Sequence, residues 1–204
     1  MLKNKSIIVM GSGSSVLKYN YGEIIDNFKD VVRFNNFQIK GYEKQIGTKT
    51  NIWARSNSRR TKERNWGQFK KVIVASPAWN YKKLKKLIRN KKNAYPISKE
   101  DAFRLQKELN LPGFKNIRKN GKRKKIRGWP TTGIMVLNFL LKEYSTIYIH
   151  GFDFFKKVDG KARHYYNNLE PVGQLGSHNS KKEKKWIEKK IKNYKIKRLK
   201  DVYE

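Results

Sequence analysis

Short apolar runs, each closed by glycine or a polar turn, punctuate the chain. Ile7 to Met10 ends at "GSGSS"; "VVRFNN" (31–36), "TNIWARS" (50–56), "KKVIVASP" (70–77) and "TIYIHGFDFF" (146–155) repeat the pattern, and "YKIKRL" (194–199) supplies a last one. Runs of this length, rich in Val, Ile and aromatic residues, predict buried strands. Between them the period lengthens. In "YKKLKKLIRN" (81–90), Leu84, Leu87 and Ile88 share one helical face, and "SKEDAFRLQKELNL" (98–111) opens with Ser98 three residues before Asp101 and stops before Pro112. That spacing is a capping pattern. "TTGIMVLNFLLKEYS" (131–145) is apolar nearly all round and predicts a buried helix, whereas in "SKKEKKWIEKKIKN" (180–193) Trp186, Ile187 and Ile191 read as the core side of a charged one. The stretch 113–128, "GFKNIRKNGKRKKIRG", shows no period and reads as a mobile, solvated basic loop, with closure over an anionic donor or approach to an anionic membrane surface as the alternatives.

Strands alternating with helices predict an α/β fold: a single domain over residues 1–204, with a mostly parallel twisted sheet flanked by helices and joined by right-handed crossovers. The 204 residues suffice for one domain with a real core. No internal repeat is visible.

Charge changes the picture more than length does. Lys and Arg number 49 against 16 acids, a formal net charge of +33. Such a field attracts polyanions, whether nucleic acid, anionic lipid or a charged substrate, although lysine spread along the whole chain is equally read as compositional bias. There is no cysteine, so thiolate metal sites and disulfides are excluded. The apolar run after the first lysines is too short for a signal peptide, and "GIMVLNFLL" is about half a bilayer span. The expectation is a soluble, cytoplasmic protein.

In a doubly wound sheet, ligands sit beyond the carboxyl ends of the strands. Those ends carry "GSGSS", "RFNN", "RSNS" and "HGFDFF", the last leading on to "RHYY". Amides, hydroxyls, aromatic rings and imidazoles in one pocket suit a sugar nucleotide. Two of the three histidines, His164 and His178, fall fourteen residues apart in a turn-rich segment, a spacing that fits neither helical pairing nor a zinc site. His150, at a strand end, reads as an ordinary polar residue, Asp153 as a turn cap, and Asn35 as either a ligand contact or a strand-end hydrogen bond.

Four segments in this order carry a family likeness. Residues 11–50, "GSGSSVLKYNYGEIIDNFKDVVRFNNFQIKGYEKQIGTKT", hold Tyr21-Gly22, Ile25-Asp26, Arg33-x-Asn35, Gly41-x-Glu43 and Gly47-Thr48-Lys49-Thr50; residues 129–155 hold Thr131-Thr132-Gly133 and Gly151-Phe152; "HYYNN" follows, and then "HNSKKE", a His178-x4-Glu183 pattern. Together they resemble the large, small, third and very short sialylmotifs of glycosyltransferase family 29, the eukaryotic-type sialyltransferases. The resemblance implies a Rossmann-like glycosyltransferase of the A type, inverting and independent of metal or other cofactor. Its donor would be a CMP-sugar such as CMP-sialic acid and its acceptor a glycan or glycolipid hydroxyl; the basic surface, separately, points to peripheral contact with an anionic membrane, and no nucleic acid partner is expected.

Carried over, His178 is the general base and His164, with Tyr165 beside it, faces the departing phosphate. Asn35, Thr131, Thr132, Gly133 and Gly151 hold the donor. Ser12 and Ser15 stand where family members have asparagine amides. Neutral imidazole suits the base role on its own chemistry, and a monophosphate leaving group, with no Asp-x-Asp pair in the chain, requires no divalent ion. The family's cysteines, membrane anchor and stem are absent, which suits a short bacterial or viral relative. Two rival readings remain at this stage: a basic nucleic-acid-binding module, and a CMP-binding relative without transfer activity, the latter suggested by Ser12 and Ser15.

Overall fold

A computed structural model describes residues 6–58, 60–76, 81–119, 122–154, 164–166 and 178–203. In chain order the elements are β1 (Ile7–Met10), a 3₁₀ turn (Ser14–Lys18), α1 (Gly22–Asp26), β2 (Asp30–Phe34), α2 (Glu43–Ile46), β3 (Ile52–Ser56), a second 3₁₀ turn (Trp66–Gln68), β4 (Lys71–Ala75), α3 (Tyr81–Ile88), β5 (Ala94–Pro96) and α4 (Lys99–Glu108). They continue with β6 (Gly113–Lys119), β7 (Lys122–Gly128), α5 (Thr132–Leu140), β8 (Ile147–His150), α6 (Ser180–Lys192), β9 (Ile196–Arg198) and α7 (Lys200–Tyr203).

Seven strands form one sheet in the order β5-β4-β3-β2-β1-β8-β9, and every pairing in it is parallel. Parallel strands covered on both faces need no polar side, which is why β1 is apolar at each of its four positions. Its side chains nevertheless sort by the strand period of two. Ile7 and Val9 enter the layer built by α4, α5 and α6, whereas Ile8 and Met10 enter the opposite layer with Val16, Ile25, Phe28 and Tyr148. A third cluster, around Trp53, Trp66 and Phe69, closes the β3–β4 side. Helix α5 buries Ile134, Met135, Val136, Leu137 and Leu140, which explains its nearly uniform apolarity.

Several expectations about boundaries are corrected. The strand read through Asn36 ends at Phe34, because Asn35 turns the chain at φ 46°, and the strand read through residue 155 ends at His150, where Gly151 takes φ +73°. Residues 113–128 are not a loop: β6 and β7 pair antiparallel from Gly113 opposite Gly128 to Lys119 opposite Lys122. The sequence between them, Asn120-Gly121, is a strong hairpin signal that the density of charge obscured. Strand β5 and helices α1, α2 and α7 are too short for a periodic signal. The Ser98 side chain does accept from the Asp101 amide at 3.0 Å, as the capping pattern requires.

Candidate active site

The chain runs outward from β1 through β2, β3, β4 and β5 on one side, then returns to place β8 and β9 on the other. The order therefore reverses between β1 and β8, and a crevice opens beyond their carboxyl ends. The loops leaving these two strands press together. The Gly11 amide donates to the His150 carbonyl at 2.7 Å and the Gly13 amide to the Gly151 carbonyl at 2.9 Å. A Cβ on Gly11 would lie 2.1 Å from the Gly151 oxygen, and one on Gly151 would lie 2.8 Å from the Gly11 oxygen. Close packing of two backbones thus accounts for both glycines.

Beyond these loops lies a cavity of about 290 Å³. The β1 loop contributes Gly11, Ser12 and Gly13; the end of β2, Phe34 and Asn35; the start of α5, Thr131 to Ile134; the β8 loop, Gly151 to Phe154. His164, His178 and Glu183 complete the wall. Phe34 and Phe152 meet edge to face at 6.1 Å. Eight of the ten residues expected at the site line this one space: Ser12, Asn35, Thr131, Thr132, Gly133, Gly151, His164 and His178.

The other two stand elsewhere. Ser15 gives its amide (2.9 Å) and its hydroxyl to the Asp153 carboxylate, buckling the β1 loop to the β8 loop, and it lines a separate cavity of about 280 Å³ with His150, Arg198 and Lys200. Tyr165 is buried behind the wall. Its hydroxyl donates to the Gln38 carbonyl, its ring meets Tyr42 edge to face at 5.0 Å, and burial pushes its pKa up to about 12. Its amide, however, donates to the Ser12 carbonyl at 3.0 Å and so fixes His164 beside the β1 loop. The His164 ring stacks on Tyr166 at 5.5 Å. Asn167 and Asn168 of the third motif lie outside the described residues.

His178 has a defined tautomer. Its Nδ1 is 2.9 Å from the Trp129 carbonyl, which accepts but cannot donate, so Nδ1 carries the proton and the lone pair is on Nε2. Burial lowers the His178 pKa, with the carbonyl bond acting against it, and the ring is neutral at pH 7. Glu183, 2% exposed, accepts from both the amide and the hydroxyl of Thr131 at 2.8 Å. Burial raises its pKa to about 7, opposed by those two bonds. Thr131 in turn caps α5, accepting from the Ile134 amide at 3.3 Å. The amino end of α5 therefore faces the cavity, a suitable seat for an anionic group. Asn35 serves in two capacities. Its Oδ1 accepts from the Ser56 amide at 2.8 Å, while the residue borders the cavity.

The remainder of the first motif does structural work. The Asp26 carboxylate accepts from the Thr48 amide and hydroxyl and from the Lys49 amide. The buried Arg33 guanidinium donates to the carbonyls of Ile46, Gly47 and Lys49 and to the Thr50 hydroxyl. Burial draws the Arg33 pKa down to about 10, still charged at neutral pH. Sequence reasoning did not place Glu183 or the Trp129 carbonyl in the site; the five-residue step from His178 was the one available signal for Glu183. Among the described residues no group of three or more His, Asp or Glu is arranged to hold a metal ion. No helix among them is long and apolar enough to cross a membrane.

Fold and cavity together define a Rossmann-like α/β protein with its open site at the topological switch point. The family model for glycosyltransferase family 29 (sialyltransferase) matches residues 3–195, and the chain belongs to that family. It is 25% identical over 216 residues to CMP-N-acetylneuraminate-beta-galactosamide-alpha-2,3-sialyltransferase 4 of Rattus norvegicus and of Homo sapiens, covering 97% of this chain. The chain spans 65% of the length of those relatives. A crystal structure of a mammalian sialyltransferase in complex with Gal-beta-1-3GalNAc-ortho-nitrophenol superposes with a TM-score of 0.69 at 17% identity, over 96% of this chain and 69% of that one, and shares its fold.

Proposed function

We propose that the protein is an inverting, metal-independent sialyltransferase that moves sialic acid or a related sugar from its CMP donor to a glycan hydroxyl. The observation that carries this reading is the convergence of His178, His164, Asn35 and the capped start of α5 on a single cavity beyond β1 and β8. The acceptor oxygen attacks the anomeric carbon from the face opposite the CMP phosphate while its proton passes to His178 Nε2. The bond from the anomeric carbon to the phosphate oxygen breaks, and its electron pair leaves with CMP. The α5 amides and Asn35 hold the donor's anionic groups, and His164 faces the leaving phosphate. Because CMP departs as a monophosphate, protein donors suffice to stabilise it.

CMP release from CMP-sialic acid, measured with and without a galactoside acceptor, tests this directly. The wild type releases CMP faster with acceptor, a chelator leaves the rate unchanged, and His178→Ala loses roughly 10²–10⁴-fold. No turnover, or an unaffected His178→Ala, contradicts the assignment. A second reading, CMP binding without transfer, is favoured by Ser12 and Ser15 at asparagine positions of the family pattern. It predicts CMP binding in a calorimeter beside absent turnover.

A further inference from the structure

Strands β6 and β7 form a two-stranded sheet of their own, apart from the main sheet. The register sets Phe114 opposite Arg127, Lys115 opposite Ile126, Asn116 opposite Lys125, Ile117 opposite Lys124, Arg118 opposite Arg123 and Lys119 opposite Lys122. Each of these six rungs carries at least one cation, two of them set cation against cation, and neither strand contains an Asp or Glu. Like charges directly opposite destabilise a strand pair, and a lone hairpin is marginal to begin with. The ladder's own stability therefore does not explain this composition, but an anionic partner does.

The arm is anchored where it matters for the site. A Cβ on Gly128 would lie 2.2 Å from Pro112 Cδ, so the two strand ends are pressed against the chain leaving α4. The next residue, Trp129, is buried, meets Phe103 edge to face at 5.4 Å, and holds His178 through its carbonyl. From that base, seven residues per strand make an arm of roughly 20 Å. Eight cations along such an arm exceed what a nucleotide-sugar with one or two anionic groups can occupy. They match an extended field of phosphates, and the interspersed Phe114, Ile117 and Ile126 match an interfacial segment.

We propose that the β6–β7 hairpin is a docking arm for an anionic lipid surface, holding the cavity mouth against a membrane. That a membrane-borne glycan is thereby brought to His178 rests on the proposed function; the docking itself does not. The test is sedimentation with phosphatidylcholine vesicles, with and without phosphatidylglycerol, in the absence of donor and acceptor. The hairpin variant is Lys122→Gln, Arg123→Gln, Lys124→Gln and Lys125→Gln. The control, Lys82→Gln, Lys83→Gln, Lys85→Gln and Lys86→Gln, removes the same charge from exposed positions of α3. The wild type and the control bind phosphatidylglycerol vesicles and ignore neutral ones, while the hairpin variant partitions roughly 100- to 1,000-fold less. The hairpin variant keeps the wild-type circular dichroism spectrum and melting temperature, which report that it folds, and also keeps wild-type CMP affinity. Equal losses in the two variants would assign binding to total charge, lost CMP affinity in a folded hairpin variant would assign the arm to the donor, and release from vesicles by duplex DNA bound through the same four residues would assign it to nucleic acid. Each of these overturns the proposal. Because vesicle binding is read without turnover, either claim can fail while the other stands.

Discussion

His178 and His150 are both partly stripped of water, yet only His178 lines the cavity between the β1 and β8 loops and the start of α5. His178 has a carbonyl on Nδ1 that fixes its tautomer and orients the ring in the cavity wall. His150, 6% exposed, sits against Tyr19 and Tyr21 with a buried Nε2 that no described residue bonds. Burial drops its pKa from 6.5 to about 4. The unfolded chain therefore binds a proton between those values that the folded chain refuses, so stability falls as pH drops from 6.5 toward 4 and is fully present above 6.5. At 1.36 kcal/mol per unit the loss is roughly 3 kcal/mol. Urea unfolding of His150→Leu between pH 7 and pH 4 is expected to show a shallower decline than wild type, and parallel curves would refute the assignment. The distinction between these histidines was partly visible from sequence, where His178 fell in a motif and His150 at a strand end. The tautomer was not, because it depends on a carbonyl 49 residues away.

Among the elements, α5 and α6 are joined by one buried carboxylate. Glu183 on α6 accepts both polar groups of Thr131, the residue that caps α5, and so sets the amino end of α5 toward the cavity. Its pKa is raised to about 7 against an ordinary 4.5. The sign is opposite to that of His150: this contribution is fully present below pH 4.5 and is lost as pH rises through 7. Glu183→Gln, measured by melting temperature, is expected to gain on wild type as pH rises from 4.5 to 7 and to keep a constant difference above pH 8. A difference independent of pH would show that the carboxylate does not titrate there. At this scale the strands were readable because sheet faces covered on both sides demand unbroken apolar runs. The hairpin was not, since its rungs are charged and give no alternation. That Ser15 and Tyr165 stand off the cavity was not readable for a related reason: motif position locates a loop, but side-chain direction follows from what that loop packs against, here Asp153 and Gln38.

For the molecule as a whole, the parallel sheet follows from the alternation of strands and helices, and the cavity follows from where strand order reverses. The +33 charge adds a field that favours any anionic ligand, so affinity for a nucleotide is informative only as a comparison between bases. Calorimetric titration with CMP and UMP at one ionic strength makes that comparison, since the two carry the same phosphate. The account predicts saturable binding of one CMP per chain with UMP markedly weaker, and a matching rise in melting temperature worth about 2.7 kcal/mol at a hundredfold excess over Kd. Equal affinity for the two nucleotides, or no saturable site for either, would contradict it.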